Sequence, residues 1–230
     1  MHGGGFVIGG FDSHDKVCRA IAAETPCRVV AIDYRLAPEH SFPAALDDIL
    51  FAVPWIASNA SSLGIDPGRL AIGGDSAGGN LSAVACIDAR EKGLKLAAQV
   101  LIYPSTDNTN DAKWPSRLQN GEVPPLTTDA LRWFGSKYLR PPLPDLKDWR
   151  LSPLYAGSLA GLPPALVLTA EYDALRDEGK AYAERLREEG VAARYRDFPG
   201  QIHGFLEFGG VIKAAAEAIG EIAGFLRAQF

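Results

Sequence analysis

Ten residues constrain this chain more than any others: LAIGGDSAGG, from Leu70 to Gly79. Leu70 to Gly73 is an apolar run of strand type, and Ala77, Gly78 and Gly79 open a stretch of small residues of helix type. Between them, Gly74 to Gly78 reads G-x-S-x-G. In a strand–turn–helix setting this pattern is a nucleophile elbow, a tight turn that lifts a serine hydroxyl above a sheet and sets it near a helix N-terminus. The flanking glycines are a steric need, because larger side chains would collide where the chain reverses. Outside such a setting Ser76 would read as a plain N-cap.

The rest of the chain has the same alternation. Apolar runs fall at Cys27–Tyr34, Leu70–Gly73, Ala97–Tyr103 and Ala165–Thr169, and a more polar one at Ala192–Phe198 suits a sheet edge. Helical stretches are predicted at Ser13–Glu24, Pro43–Ser58, Ser76–Lys92, Asp177–Glu189 and Val211–Phe230, with Pro54 kinking or ending the second. Asp177–Glu189 reads as a charged surface helix. Alternation of this kind predicts an α/β fold, a mostly parallel sheet flanked by helices. With 230 residues, 47% of them hydrophobic, one α/β domain over 1–230 is expected. Residues 104–164 interrupt the rhythm with a proline-rich stretch, and TTDALRWFGSKYL (Thr127–Leu139) inside it reads as an amphipathic helix. Its aromatics, Trp133, Phe134 and Tyr138, suggest a lid over something.

Several function classes recede on composition. A net charge of −5 with no basic block argues against nucleic acid as a partner. No apolar run approaches the length of a membrane span, and no secretory signal is visible, so a cytoplasmic protein is expected. Cys18, Cys27 and Cys86 are too few and wrongly spaced for a disulfide framework or a zinc site, and no metal is expected. Cys18 and Cys86, among apolar residues, read as buried free thiols.

A serine nucleophile needs a base, and the base needs an orienting carboxylate. Of the four histidines, His2 lies in a glycine run, His14 near a helix start, and His40 in a loop. His203, in PGQIHGF after the last strand, is placed to reach over the nucleophile. Among the acidic residues of EYDALRDEG, Asp173 lies just past the strand end. Glu171 reads as possible support, and Asp177 and Glu178 as helix-dipole residues. Ser76, Asp173 and His203 then follow in the order of an α/β-hydrolase arrangement. The opening HGGG run gains a purpose in this setting. Acyl transfer builds negative charge on an oxygen, and backbone N–H groups at Gly4, Gly5 and Ala77 can form the oxyanion hole.

These segments together resemble the hormone-sensitive lipase-like carboxylesterases of the GDSAG group. The matching stretches are HGGGFVIG (2–9), DYRLAPEHSFPAALDD (33–48), GGDSAGGNL (73–81), LIYPSTD (101–107), EYDALRDEG (171–179) and IHGF (202–205). The resemblance implies an α/β-hydrolase fold and a catalytic triad of Ser76, Asp173 and His203. It also implies oxyanion donors at Gly4, Gly5 and Ala77, carboxylic ester substrates of short or medium acyl chain, and no cofactor. Thr127–Leu139 matches the family's cap helix, so 104–164 is expected to form a partial cap. Members carry further residues before HGGG, including a strand between those matching 28–34 and 70–73. Measured against them this chain reads as N-terminally truncated. Three outcomes are open: direct pairing of the flanking strands, filling of the gap by another subunit, or poor folding alone. Self-association into a homo-oligomer is the expected consequence. The competing readings are a hydrolase-fold binding protein, an inactive truncated relic, and a peptidase or amidase on the same triad.

Overall fold

Successive residues of a strand point to opposite faces, so an unbroken apolar run can be stable only where both faces are covered. The computed structural model describes residues 1–109 and 113–230, and it shows this coverage. In chain order the elements are α1 (Phe11–Glu24), α2 (Ala44–Ser58), α3 (Ala60–Leu63), β1 (Ala71–Asp75), α4 (Ala77–Glu91), β2 (Ala98–Ile102), α5 (Pro115–Gln119), α6 (Thr128–Tyr138), β3 (Ala165–Tyr172), α7 (Arg176–Glu188), β4 (Ala193–Ile202) and α8 (Lys213–Arg227). The strands form one sheet in the order β1-β2-β3-β4, every pair parallel. On one face Leu101 and Val167 pack with Leu46 and Ile49 of α2, Leu81 and Val84 of α4 and Leu186 of α7. On the other, Val100, Ile102, Leu166 and Leu168 pack with Ile219, Ile222 and Phe225 of α8. Each fully buried aliphatic side chain of this kind contributes roughly 1.5–3 kcal/mol relative to exposure.

Four of the five predicted strands form. The strand expected at Cys27–Tyr34 does not: among the described residues the segment has no ladder partner. A cavity of about 860 Å³ separates it from β1, with Val29–Ile32 on one wall and Ala71–Asp75 on the other. A strand exists through its inter-strand hydrogen bonds, and none can span that gap. The two segments therefore do not pair directly. Val29 and Val30 are left exposed.

Two helix expectations need refinement. The helix expected at Pro43–Ser58 forms as α2 (Ala44–Ser58), and Pro54 lies inside it without ending it. A proline removes one helical hydrogen bond, and burial of Ala45, Leu46, Ile49 and Val53 anchors the helix up to it, while the turn beyond carries no buried side chain. The helix α7 is not simply a surface helix, since Glu178, Tyr182, Ala183 and Leu186 are buried. The predicted helix in the long excursion forms as α6, capped by Thr127, whose Oγ1 accepts the Ala130 N–H at 3.1 Å. The short helices α3 and α5 were not foreseen.

Candidate active site

The carboxyl ends of β1, β3 and β4 lie along one rim of the sheet, where open parallel sheets place their ligands. Ser76 follows β1 directly, with φ 53° and ψ −118°, a strained conformation for a non-glycine residue. The elbow explains its glycines by distance. A Cβ on Gly74 would lie 2.4 Å from the Gly78 carbonyl oxygen, and one on Gly78 would lie 2.3 Å from the Met1 carbonyl oxygen. The second contact was not foreseen: the N-terminal residues press directly onto the elbow.

Three side chains from these strand ends meet. His203 Nε2 is 2.9 Å from Ser76 Oγ, and His203 Nδ1 is 2.7 Å from Asp173 Oδ2. An ionised carboxylate only accepts, so Nδ1 carries the proton and the Nε2 lone pair faces the serine hydroxyl. Asp173 is itself fixed, because its Oδ1 accepts the Leu175 N–H at 2.8 Å. All three residues are buried. Burial works against a charged His203, but the Asp173 carboxylate, helped by Asp75 and Glu207, outweighs it and holds the imidazole pKa above its ordinary value.

The glycine run forms a tight loop against β1. The Val7 and Ile8 N–H groups both donate to the Gly4 carbonyl at 3.0 Å. Gly4 has φ 109° and Gly5 φ 59°, values that favour glycine. A Cβ on Gly5 would lie 2.4 Å from the Phe134 ring of α6, so the excursion helix lies directly on the loop. Four contacts hold the loop. The Met1 amine donates to Gly73 O at 2.7 Å, the Tyr34 hydroxyl to His2 O at 2.7 Å, and the Gly3 N–H to Asp75 Oδ1 at 2.9 Å. The His2 ring stacks on Tyr34 at 4.2 Å. Among the described residues, no hydrogen bond engages the N–H groups of Gly4, Gly5 or Ala77.

A family model described as alpha/beta hydrolase fold matches residues 1–207. Carboxylesterase NlhH of Mycobacterium tuberculosis is 46% identical over 224 residues, covering 95% of this chain and 69% of that protein. The chain belongs to the hormone-sensitive lipase-like carboxylesterases of the α/β-hydrolase family. The carboxylic ester hydrolase LipN of M. tuberculosis is 45% identical over 234 residues, 99% of this chain and 62% of that protein. The hyperthermophilic esterase of Pyrobaculum calidifontis superposes with a TM-score of 0.94 at 45% identity, over 99% of this chain and 74% of that structure. The chain thus spans about two thirds of the length of the curated relatives named here.

Sequence reasoning missed several residues of this candidate site. Tyr103 has φ 34° and sets its ring 4.7 Å from the His203 ring, while its hydroxyl is buried with no hydrogen-bond partner among the described residues. Its position directly after an apolar strand was the only local signal. His14 and Asp75 meet beneath the glycine loop, with Glu207 nearby. The donor atoms of these three lie within 4.8 Å of one another. Two of them already bond each other and the Gly3 N–H, the chemistry of a charge-compensated anchor. Other acidic residues bond elsewhere than on the Ser76–His203–Asp173 line. Glu171 Oε2 accepts the Gly200 N–H at 2.7 Å. Asp177 and Glu178 do open α7 in its first turn, as the helix-dipole reading has it, but Glu178 is also fully buried and its carboxylate pairs with Arg117. Cys86 is buried, whereas Cys18 is only partly so, and all three cysteines are free.

Proposed function

We propose that this ester hydrolase works through a Ser76 acyl-enzyme and takes esters of short to medium acyl chain. The unbroken line of hydrogen bonds from Asp173 through His203 to Ser76 carries this reading. Ser76 Oγ attacks the ester carbonyl carbon as its proton passes to His203 Nε2. Asp173 holds the imidazole in the Nδ1–H tautomer and stabilises the imidazolium. The N–H groups of Gly4, Gly5 and Ala77 receive the oxyanion. Collapse breaks the bond to the alkoxide, which takes the proton from His203 and leaves as alcohol. A water molecule, deprotonated by the now neutral His203, attacks the acyl-serine carbonyl. The second collapse returns that proton to Ser76 and releases the acid. No cofactor enters these steps.

Ser76→Ala is expected to abolish hydrolysis of p-nitrophenyl acetate and butyrate, by at least about 10⁴-fold. Retained activity in that variant would sink the assignment. In this reading residues 104–164 form a partial cap, with Phe134 on Gly5 as its inner contact. The three named esterase relatives, NlhH at 46% identity among them, support an ester in preference to an amide substrate. Three free thiols suit a cytoplasmic location, and no helix among the described residues is long and apolar enough to cross a membrane. The outer edge of β1 has no partner strand among the described residues and borders the exposed Val29 and Val30, which supports self-association of two copies across this face. Light scattering that found a monomer at micromolar concentration would overturn the oligomer.

A further inference from the structure

Asp75 stands between the two halves of the proposed oxyanion hole. Its main chain leads into Ser76 and Ala77 on one side. Its side chain crosses to the other, where Oδ1 accepts the Gly3 N–H at 2.9 Å, one residue ahead of Gly4. The fit is close, since a Cβ on Gly3 would lie 2.3 Å from Asp75 Oδ2. A carboxylate this deeply buried needs compensation. It comes from the first turns of α1: His14 Nε2 lies 3.2 Å from Oδ1 and 3.3 Å from Oδ2. The other ring nitrogen is held as well, because His14 Nδ1 is 2.8 Å from Ser13 Oγ. That hydroxyl in turn meets the Gly10 N–H at 3.0 Å and Gly10 O at 2.9 Å. The ring is therefore pinned at both ends. Glu207 Oε1 stands 3.9 Å from Nε2 and adds a second negative charge. Burial opposes a charged His14, yet Asp75 and Glu207 prevail and raise its pKa.

We infer that Asp75 is the tie that sets the width of the oxyanion hole, and that His14 is the positioning residue that holds Asp75 to that task. The inference rests on the reading of Gly4 and Gly5 as oxyanion donors. One residue links the nucleophile to the glycine loop through its own backbone and its own carboxylate. With His14 absent, the carboxylate loses its fixed partner and the Gly3 N–H loses its own contact with Nε2 at 3.3 Å, so the Gly3 peptide and the two N–H groups after it are held less closely by what remains at Met1, His2 and Tyr34. Stabilisation of a tetrahedral oxyanion depends steeply on donor position, while binding of the ground-state ester makes weaker demands. The loss should then fall on kcat and leave KM alone.

The test uses the full chain with His14→Phe, which removes the N–H, and His14→Gln, which keeps one near the place of Nε2. Three quantities are measured: kcat and KM for p-nitrophenyl butyrate, inhibition by a short alkyl trifluoromethyl ketone, and the fraction of Ser76 labelled at saturation by a fluorophosphonate. The ketone carbon bonds to Ser76 Oγ and its oxygen becomes an oxyanion, so its affinity reports on the hole. In His14→Phe kcat is expected to fall about 10- to 100-fold with KM within about twofold. Ketone affinity should weaken by the same factor as kcat, labelling should still reach completion, and His14→Gln should restore most of both losses. Wild-type kcat in His14→Phe overturns the inference. So does a kcat loss that only tracks a lost labelled fraction, or that leaves ketone affinity unchanged. If His14→Phe yields no folded protein, Asp75→Asn is judged on the same criteria. The parent reading fails separately: an active Ser76→Ala sinks the acyl-enzyme, whereas an inactive Ser76→Ala beside a fully active His14→Phe sinks only the role of His14.

Discussion

At His203 two forces oppose each other. Burial disfavours the imidazolium, and the Asp173 carboxylate 2.7 Å from Nδ1 favours it and prevails. A general base must be neutral to accept a proton, so kcat is expected to fall on the acid side with a midpoint above about 6.5, the ordinary histidine value. Asp173→Asn removes the main raising influence. Its acid limb should shift to lower pH while kcat drops by about 10⁴-fold. A limb that stayed in place would mean that another group titrates. The same shift has a stability consequence. A histidine pKa raised by folding contributes stability in full below about 6.5, and that contribution is lost as pH rises through the folded value. Ser76, Asp173 and His203 were legible in the sequence because each role demands a backbone setting: an elbow after a strand, or a loop at a strand end. His14 and Asp75 were not, since their meaning lies in a contact across 61 residues that leaves no local pattern. Tyr103 gave only a position at the end of an apolar run, and nothing in it announced the tilted ring contact with His203.

At the scale of elements, the elbow and the N-terminal loop are one packed unit. Gly78 has no room for a methyl group because the Met1 and His2 carbonyl oxygens would lie 2.3 and 2.6 Å from it. Gly78→Ala must therefore push the loop off α4 or bend the elbow. The expected cost is about 1–3 kcal/mol, read from urea unfolding, with a loss of kcat from the displaced loop. An alanine variant of wild-type stability would show that the loop gives way freely. Gly220, on α8, has nothing within 4 Å of a Cβ position, and Gly220→Ala serves as the control, expected to be neutral or stabilising. The strands of the sheet were readable because runs such as AAQVLIY carry their burial on both faces. Cys27–Tyr34 has a similar composition but no partner strand among the described residues. Composition reports how well a segment would suit a strand, and pairing decides whether one exists.

Across the whole molecule, the long excursion is joined to the sheet by buried charge. Arg117 of α5 donates to Glu178 Oε2 of α7 through Nε at 3.0 Å, and again through Nη2. The other carboxylate oxygen accepts the Thr106 and Asp107 N–H groups at 2.9 and 3.1 Å. Burial pushes the Glu178 carboxyl up to about 7, against the pull of Arg117. Asp107 adds a second anchor. Burial would raise its pKa, but bonds from Thr109, Lys113 and Trp114 bring it down to about 2. The sequence offered no sign of this brace, because Arg117 and Glu178 lie 61 residues apart and Glu178 read only as a helix-dipole residue. A pair of this kind contributes little net stability over an apolar substitute, but losing one partner leaves a buried charge uncompensated. Arg117→Ala is thus expected to destabilise the chain by about 3–5 kcal/mol in urea unfolding. Arg117→Ala combined with Glu178→Gln should recover part of that loss, since the remaining amide is neutral. The excursion also carries α6, whose Phe134 lies on Gly5, so loosening the brace should reach the site as well. A single variant that lost stability while keeping full kcat would show that α6 holds its place on the glycine loop without Arg117.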